Sequence, residues 1–410
     1  MTCMRWGLRL GTVSAFALAL SGTAHAAGTA LDVQSGRGTG MASAMTAHVD
    51  DSSSIYYNPA GIAQGRIIDA QVGGAPLVAG HHFVSPSGHQ TNLKFAIATP
   101  FHAYVSGGVT ENLSLGLGVF TPFGLSLAWP TSWEGRRLIT EASNANYYFN
   151  PTAAYRFGPL RVGAGFQLVR STVELKKAIA FGDQEGSVDL SGSAWGVGGN
   201  VGVQYEAIER YLSLGVHYRS AVKLSYDNGL AHFSNVPASL QATLHDQAVT
   251  TSLVLPDSLA VGLAGHPLED LLLDVDLVWF NWNHLRSVNI HFPNDASGTL
   301  SSTEPKKWTN TVNVHLGAEG KLDEHWRLRG GILYDPTPSP QRTLAPDIPD
   351  ASRVNLALGG TYAFTNGIHI DLGYQFLILI TKASTNPLLA GDYGGNVNIV
   401  GLSVGYRSPR

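Results

Sequence analysis

The sequence predicts an all-β protein, a transmembrane antiparallel β-barrel of about 14 strands that is plugged by an N-terminal, mostly helical hatch. The first observation is composition: 14% of the 410 residues are charged and 44% are hydrophobic, whereas about 25% of the residues in an average soluble protein are charged. The second is that apolar residues alternate with polar ones. The third is that short and long connections alternate. A net charge of -4 and a single cysteine argue against a nucleic-acid partner and a disulfide scaffold.

Residues 1–26 are predicted to be a secretory signal peptide. Arg5 and Arg9 form a basic region, residues 10–20 are an apolar run, and Ala24-His25-Ala26 is a small-x-small cleavage site. A membrane anchor is the alternative, but the run is too short for a bilayer core of about 30 Å. Cleavage after Ala26 would remove the lone cysteine and leave an exported chain.

Residues 27–65 precede the first alternating segment and are predicted to form the hatch. They are rich in Gly, Ala, Ser and Thr. Asp50 and Asp51, followed by two serines, offer N-cap groups for a short helix, and Asn58-Pro59-Ala60 stops it because the residue before proline disfavours helix. A barrel of about fourteen strands is wider than side chains can fill, so a plug is expected. A disordered periplasmic tail is the alternative.

Residues 66–410 are predicted to be the barrel. After residue 26 no run of about 18 apolar residues occurs, so a membrane-spanning chain must be a closed barrel. Strict alternation occurs in several stretches, among them 113–119, 212–219, 312–319 and 368–376. One face is apolar and the other is polar or glycine, which is typical of strands between lipid and a polar lumen.

The connections between these strands are of two lengths. Six short turns are predicted at 107–112, 158–159, 206–210, 266–270, 321–324 and 365–367, and seven long loops near 80–91, 121–146, 177–187, 227–250, 287–306, 336–351 and 383–394. Thirteen connections join fourteen strands, and short turns with long outer loops are the bacterial outer-membrane pattern. Aromatic residues near the strand ends are expected to form interfacial girdles: Trp279, Phe280, Trp282, Trp308, Trp326, Tyr334 and Tyr406.

Four groups of motifs occur in order along the chain. They are the run from Ser35-Gly36 through Asp50-Asp51 to Asn58-Pro59-Ala60; Thr121-Pro122-Phe123-Gly124-Leu125 with Trp133-Glu134-Gly135-Arg136; Asn150-Pro151 with Ala154-Tyr155 and Gly163-Ala164-Gly165; and the C-terminal third, which includes Arg329-Gly330-Gly331-Ile332, Ile348-Pro349-Asp350 and Gly359-Gly360-Thr361-Tyr362. Together they resemble the FadL/TodX family of outer-membrane transporters for long-chain fatty acids and other hydrophobic compounds. The resemblance covers nearly the whole mature chain.

This resemblance implies a passive transporter in the outer membrane of a Gram-negative bacterium. A hydrophobic, fatty acid-like molecule would bind between outer loops, pass to a deeper pocket, and be released when residues 27–31 move. A kink in the third strand, near residues 113–120 and beside Asn58-Pro59-Ala60, would open a lateral gap. The other expected partners are membrane lipid, lipopolysaccharide and the barrel-assembly machinery, and the chain is expected to be a monomer. A general aqueous porin and a structural or adhesive barrel remain alternatives.

Two sets of side chains are candidates for substrate contact. Phe123, Leu125, Leu127, Trp129 and Trp133 are predicted to form a capture loop, although ordinary loop packing explains each of them equally well. Arg136, Arg327 and Arg329 are possible partners for a substrate carboxylate. For each arginine a salt bridge within the protein is the alternative, and the inward-facing Asp274 and Asp276 are expected partners.

No enzyme, metal or cofactor is predicted. His81, His82, His89 and His102 lack a serine and an acid at a recognisable spacing, and a metal site at the first two would need further ligands. The chain continues past Tyr406 with Arg407-Ser408-Pro409-Arg410. Because barrels of this kind usually end in an aromatic residue, we expect the assembly signal to be displaced or altered.

Overall fold

The chain forms one closed barrel of fourteen antiparallel strands, as the sequence predicts. The computed structural model describes residues 29–295 and 297–409, so the predicted signal peptide lies outside the described residues. The strands are β1 (Ile68–Gly74, continued by Leu77–Ala79 and His82–Val84), β2 (Gln90–Asn92, Ile97–Ala98 and Phe101–Gly108), β3 (Leu113–Ala128), β4 (Glu141–Phe157), β5 (Leu160–Phe181), β6 (Gln184–Ile208), β7 (Leu212–Arg219 and Val222–Ser234), β8 (Gln247–Leu255 and Ser258–Leu268), β9 (Leu271–Phe280), β10 (Thr311–Lys321), β11 (Trp326–Asp335), β12 (Arg353–Ala363), β13 (Ile368–Ser384) and β14 (Gly391–Arg407).

The barrel closes between its first and last strands. β1 pairs with β14 from Asp69 opposite Arg407 to Gly74 opposite Leu402, and on its other side with β2. Every other strand pairs with its neighbours in sequence. Closure leaves neither the first nor the last strand as a free edge, which is the condition for a sheet in lipid. None of the helices in the described residues is long and apolar enough to cross a bilayer.

The alternating residues place apolar side chains on the outer surface. In β13 Leu372 is 54% exposed, while its neighbour Asp371 is buried. In β3 Leu115 and Leu117 are likewise exposed and Ser114 is buried. The outside of the barrel therefore presents an apolar surface to lipid, and the inside carries the polar residues of the same strands.

The six short turns lie where the sequence predicts them, but several predicted loops are partly strand. β5 and β6 pair continuously from Tyr205 opposite Leu160 to Gln184 opposite Phe181, so residues 177–187 form a hairpin closed by Gly182 with φ 64°. The predicted loops 121–146 and 227–250 shrink because β3, β4 and β7 extend into them. Above the membrane both faces of a strand contact water or loops, so the apolar alternation that marks a strand is lost there.

The prediction of an aromatic girdle is wrong for three side chains. Trp326 and Tyr406 are exposed on the outside, as expected, but Phe280, Trp282 and Trp308 are buried. These three rings pack together, with ring centroids 5.8 and 5.2 Å apart. The chain bends inward after β9 through the 3₁₀ helix Trp282–His284, so these aromatics fill the upper lumen. The loop that follows carries a small hairpin of Ser287–Ile290 with Ser302–Pro305.

Residues 29–65 lie inside the barrel and plug it. They contain three short helical segments: α1 (Gly36–Gly40), α2 (Ser54–Tyr57) and the 3₁₀ helix Pro59–Ile62. Ser35 caps α1 by accepting the amide of Gly38 at 2.9 Å. The glycines of α1 permit contact with the wall, because a Cβ on Gly36 would lie 2.5 Å from the carbonyl oxygen of Asp371. Small residues in this segment therefore serve close packing of backbone on backbone.

Candidate functional site

Asn58 connects the hatch to the barrel wall. It is fully buried, and its amide nitrogen donates to the carbonyl oxygens of Thr46 at 2.8 Å and Val203 at 3.0 Å, with a longer contact of 3.4 Å to that of Val216. Its side-chain oxygen accepts the amide of Ala60 at 3.2 Å and so caps the 3₁₀ helix, where Pro59 occupies the first position. The motif therefore satisfies backbone groups of the hatch and of two strands at once.

The Asn58-Pro59-Ala60 motif lies mainly against β5 and β6, and the 3₁₀ helix that it opens touches β3, its expected neighbour, less extensively. A Cβ on Gly163 would lie 2.4 Å from the carbonyl carbon of Pro59, and one on Gly202 would lie 2.0 Å from the side-chain oxygen of Asn58. Ile55 of α2 lies directly on β3, at the inner face of Gly116 and Gly118.

Asp50 and Asp51 hold Arg37 of α1. Its guanidinium donates to Asp50 at 2.7 Å and to Asp51 at 2.9 Å, and it lies 3.2 Å from Glu319 of β10. Asp51 also accepts the amide of Ser53 at 2.9 Å, so it orders the start of α2. Burial alone would raise the pKa of Asp50, but Arg407 and Arg37 outweigh it and hold that pKa well below its ordinary value.

Two of the candidate carboxylate partners belong to the same ion cluster. Arg329 is buried and donates to Glu319 at 2.6 Å and Asp371 at 3.1 Å, and Arg327 lies 3.5 Å from Glu319. Both point inward, as strand parity predicts. Asp274 and Asp276 also point inward and are buried. They do not form the expected ion pairs with these arginines, since Glu319 and Asp371 do.

Asp276 instead holds the hatch backbone. One of its carboxylate oxygens accepts the amides of Met45 and Thr46, each at 2.8 Å. The third candidate arginine, Arg136, lies in the outer loop and donates to both oxygens of Glu185 at 3.0 Å. The structure therefore spreads the three candidate arginines over two distant places, and each already has an acidic partner.

The five predicted capture residues divide into two groups. Trp129 and Trp133 stack with ring centroids 4.5 Å apart, and both are buried in a loop cluster with Phe83, Leu344 and Tyr393. The indole of Trp129 donates to the carbonyl oxygen of Pro346 at 3.0 Å. Phe123, Leu125 and Leu127 line the largest cavity, and Leu127 also belongs to this loop cluster.

β3 is bulged and loses its pairing with β2 halfway along. Among the described pairings, the two strands are in register only from Gly108 opposite Ser114 to His102 opposite Phe120, and the register with β4 shifts between Phe120 and Phe123. Contact with β2 resumes where the amide of Lys94 donates to the carbonyl oxygen of Ala128 at 2.7 Å. The wall thus has an unpaired stretch beside the bulge of β3.

The N-terminal end of the hatch lies against this bulge. Ala30 forms a β-bridge with Phe123, with the amide of Leu31 donating to the carbonyl oxygen of Pro122 at 2.8 Å. The side chain of Gln34 donates to the carbonyl oxygen of Thr121 at 2.9 Å and accepts its amide at 3.1 Å. The sequence does not indicate a role for Gln34, because the bond joins residues 87 positions apart.

The largest cavity has a volume of about 410 Å³ and lies between the start of the hatch, the unpaired stretch and the loop after β11. Its walls include Leu31, Val33, Leu125, Ile348, Leu377 and Ile399. Arg353 also lines it, but this guanidinium is bound to Asp335 at 2.7 Å. Burial raises the pKa of the neighbouring Asp350 to about 8, so this carboxyl is largely protonated at neutral pH. The cavity is therefore mostly apolar.

A second cavity of about 140 Å³ lies higher, beneath the loop that follows β9. Leu125, Thr29 and Ile348 border both cavities. Leu190, Leu253, Trp282 and Leu285 make most of its remaining wall apolar. Together the two cavities extend an apolar volume from the outer loops down to the hatch.

A model of the family described as outer membrane protein transport protein (OMPP1/FadL/TodX) matches residues 17–407. The chain belongs to this family. Outer membrane protein P1 of Haemophilus influenzae Rd is 28% identical over 67% of this chain, and the match spans 64% of that protein, slightly less than two thirds. The long-chain fatty acid transport protein of Escherichia coli K12 is 23% identical over 90% of this chain and 92% of its own length.

The structural comparison agrees with this membership. A crystal structure of a Pseudomonas aeruginosa FadL homologue superposes with a TM-score of 0.78 and 17% identity, covering 93% of this chain and 99% of that one. At this identity the likeness shows the fold. Membership of the OMPP1/FadL/TodX family together with the barrel places the protein in the outer membrane of a Gram-negative bacterium.

Of the four histidines considered above, His102 contacts the same serine of β14 as the hatch does, and His81 borders the largest cavity. His102 is buried and shares a 2.8 Å hydrogen bond with Ser403, whose hydroxyl also accepts the amide of Gly36 from the hatch. This serine is therefore shielded by the plug. His81 lines the largest cavity. Residues 29–295 and 297–409 contain no group of three metal-ligating side chains placed to hold an ion.

Proposed function

We propose that this OMPP1/FadL/TodX family member takes up hydrophobic molecules across the outer membrane by passive diffusion. The observation that carries the proposal is the apolar cavity of about 410 Å³ beside the unpaired stretch of β2 and β3. Its size falls in the range of small-molecule sites, about 300–1,000 Å³. The fatty-acid transport activity named for the Escherichia coli relative is consistent with it.

The route begins at the outer loops and ends at the wall. A substrate enters near Leu125 and Leu127, occupies the cavity, and leaves toward the membrane between β2 and β3 or past residues 29–34 of the hatch. An apolar chain gains about 0.8 kcal/mol for each CH₂ removed from water. A dry cavity therefore binds it far better than a water-filled pore, and no energy source is required for movement down a gradient.

Two variants of the outlet test this route. Ser126 borders the largest cavity and a small one at the unpaired stretch, so Ser126→Trp should block the outlet. Leu115→Trp on the lipid side of the same strand is the matched control, because Leu115 is exposed and borders neither cavity. Uptake of radiolabelled oleate and of toluene is measured in cells that lack the protein, in cells that carry it, and in cells with each variant.

We expect the wild type and Leu115→Trp to increase uptake and Ser126→Trp to reduce it several-fold. Equal uptake with and without the protein, for both compounds, would refute transport of hydrophobic molecules. An aqueous porin predicts in addition that deletion of residues 29–65 leaves conductance unchanged, whereas a plug predicts a large increase. A structural or adhesive barrel predicts no uptake by any of the variants.

A further inference from the structure

The outer face of β4 shows where the outer boundary of the lipid tails lies. From Phe157, beside the short turn at 158–159, to Tyr147, the side chains that face outward are apolar or aromatic. These ten positions cover about 26 Å along the membrane normal, at a rise of about 3.4 Å each and a strand tilt of about 40°. Outer-membrane barrels carry an apolar band about 25 Å tall. The row that contains Tyr147 therefore lies where the tails meet the head groups of the outer leaflet.

Arg170 of β5 lies in this row between two aromatic residues. It is paired with Tyr147 of β4 on one side and with Trp195 of β6 on the other. Its guanidinium lies over the ring of Trp195, 5.2 Å from the centroid, and this ring is 56% exposed on the outside. A guanidinium stacked on a ring keeps the N–H groups at its edge free for an acceptor. Within residues 29–295 and 297–409 Arg170 forms no ion pair, in contrast to Arg136 in the outer loop, which binds Glu185.

Lys223 of β7 is a second cation on the same face. It is exposed, whereas Val222 and Leu224 on either side of it are fully buried, so its side chain points outward. A Cβ on Gly196 would lie 2.8 Å from the carbonyl oxygen of Lys223. Because Gly196 follows Trp195 in β6, the lysine lies across that strand from Arg170 and close to the same height. Lys223 likewise has no ion pair with any part of the chain that the structure describes.

The neighbours of this row change from apolar to hydroxyl-bearing across it. On the membrane side Leu168 and Val197 lie opposite each other and are 38% and 61% exposed. On the outer side the next pair that faces outward is Thr172 with Ser193. The surface therefore offers hydrocarbon contact below the two cations and hydrogen-bonding groups above them.

The acids of this region leave the two cations unneutralised. The nearest acids on β5 and β7, Glu174 and Asp227, are each four positions farther from the membrane, about 13 Å along the strand. Asp257, at the bend of β8, is bound to His284 at 3.0 Å. Positive side chains at a membrane surface attract anionic lipid head groups. The row thus fits a ligand that carries negative charge at the head-group boundary.

We propose that the outer face of β5–β7 binds lipopolysaccharide of the outer leaflet, with its phosphate groups on Arg170 and Lys223. The lipid anchor of this molecule carries phosphates on a sugar backbone above several acyl chains. The guanidinium and the ammonium donate charge-assisted hydrogen bonds to the phosphates. The acyl chains lie along Leu168 and Val197, and the hydroxyl-bearing pair faces the sugars. The site is on the lipid side of the wall and does not depend on the proposed uptake.

Binding of lipid A with and without its phosphates tests the assignment. The full mature chain is purified in a non-ionic detergent, and native mass spectrometry measures its titration with each form. We expect the wild type to bind phosphorylated lipid A about 10- to 100-fold more tightly than the dephosphorylated form, the range that one charge-assisted hydrogen bond supplies. The double variant Arg170→Met, Lys223→Met should bind the two forms within threefold of each other, and Arg170→Lys should keep part of the preference.

A second double variant controls for the loss of charge alone. Arg66→Met with Lys321→Met also removes two positive charges, at side chains that are paired with Glu111 and Glu324 at the periplasmic end. It should keep the wild-type preference for the phosphorylated form. Resistance of each folded barrel to unfolding by heat in detergent checks that the variants are intact.

Three results would overturn the proposal. The first is equal binding of both forms of lipid A by the wild type, and the second is the same loss of preference in both double variants. The third is competition by phosphatidylglycerol as strong as that by phosphorylated lipid A, which would mean that the row attracts any anionic lipid. Uptake of oleate and toluene tests the proposed function separately, since Arg170, Trp195 and Lys223 border none of the cavities described above.

Discussion

Replacing Arg37 with methionine should loosen the hatch. The substitution keeps an unbranched side chain and removes the charge that joins Asp50, Asp51 and Glu319. Removing one partner of a buried ion pair costs about 3–5 kcal/mol. We take the lower end of this range, about 3 kcal/mol. Glu319 would still form its ion pair with Arg329 at 2.6 Å, and the side chain of Asp50 is 34% exposed, so neither carboxylate is left fully buried and unpaired. The equilibrium population of the open hatch should then rise about 100-fold.

The chain carries its own reporter for this change. It has four methionines, and two of them lie in the predicted signal peptide. The other two, Met41 and Met45, are each 1% exposed inside the hatch, so their oxidation by hydrogen peroxide, followed by mass spectrometry, reports hatch opening. Arg66→Met, at a pair whose side chains are 67% and 73% exposed, is the control. A rate for Arg37→Met within threefold of wild type would refute the reasoning.

Three more predictions concern the same segment. Gly163→Ala should raise the methionine oxidation rate about tenfold, because its Cβ would lie 2.4 Å from the carbonyl carbon of Pro59. Gly320→Ala is the control and should leave the rate unchanged, because a Cβ at residue 320 would have no other atom within 4 Å. Gln34→Ala should speed hydrogen exchange at the bulge of β3 by about 5- to 100-fold without changing methionine oxidation. The pKa of Asp50 lies below its ordinary value of 3.8, so the ionised carboxylate stabilises the closed hatch above that pH. This stabilisation is lost as the pH falls toward the lowered pKa. Methionine oxidation should therefore be constant from about pH 8 to 5 and rise only below about pH 4.

The membrane-embedded part of the fold was predictable because lipid and lumen impose opposite requirements on successive residues. The neighbours Leu372, which is exposed on the outside, and Asp371, which is buried inside, show this alternation directly. The outer parts of the strands were not predictable in this way, since residues 177–187 contact no lipid and their pairing depends on the partner strand. The inward bend after β9 was not predicted for a related reason. Trp282 and Trp308 are aromatic residues near strand ends, as in an interfacial girdle, but they are buried inside the barrel.

The hatch motif could be found from the sequence, but its partners could not. Asn58 and Pro59 form local caps that the sequence shows. Their contact with Gly163 joins residues about a hundred positions apart and follows from how the barrel closes. The same holds for the arginines: strand parity predicts that Arg329 points inward, yet only the register of β10 with β11 places Glu319 opposite it.

The hatch consists of two parts that differ in how firmly they are held. Residues 36–62 are joined to the wall by the cluster around Arg37, by Asn58 and by contacts that leave no space for a Cβ. Residues 29–34 are held by hydrogen bonds: two backbone bonds to the bulge of β3, two between the side chain of Gln34 and Thr121, and one from the hydroxyl of Tyr104 to the carbonyl oxygen of Gln34 at 3.0 Å. Tyr57 and Ser43 of the hatch also donate to the carbonyl oxygen of Asp32. At about 1 kcal/mol for each hydrogen bond, these bonds keep the segment closed yet let it open in a small fraction of molecules. We infer that substrate passage displaces this short segment alone, while the rest of the hatch continues to exclude water.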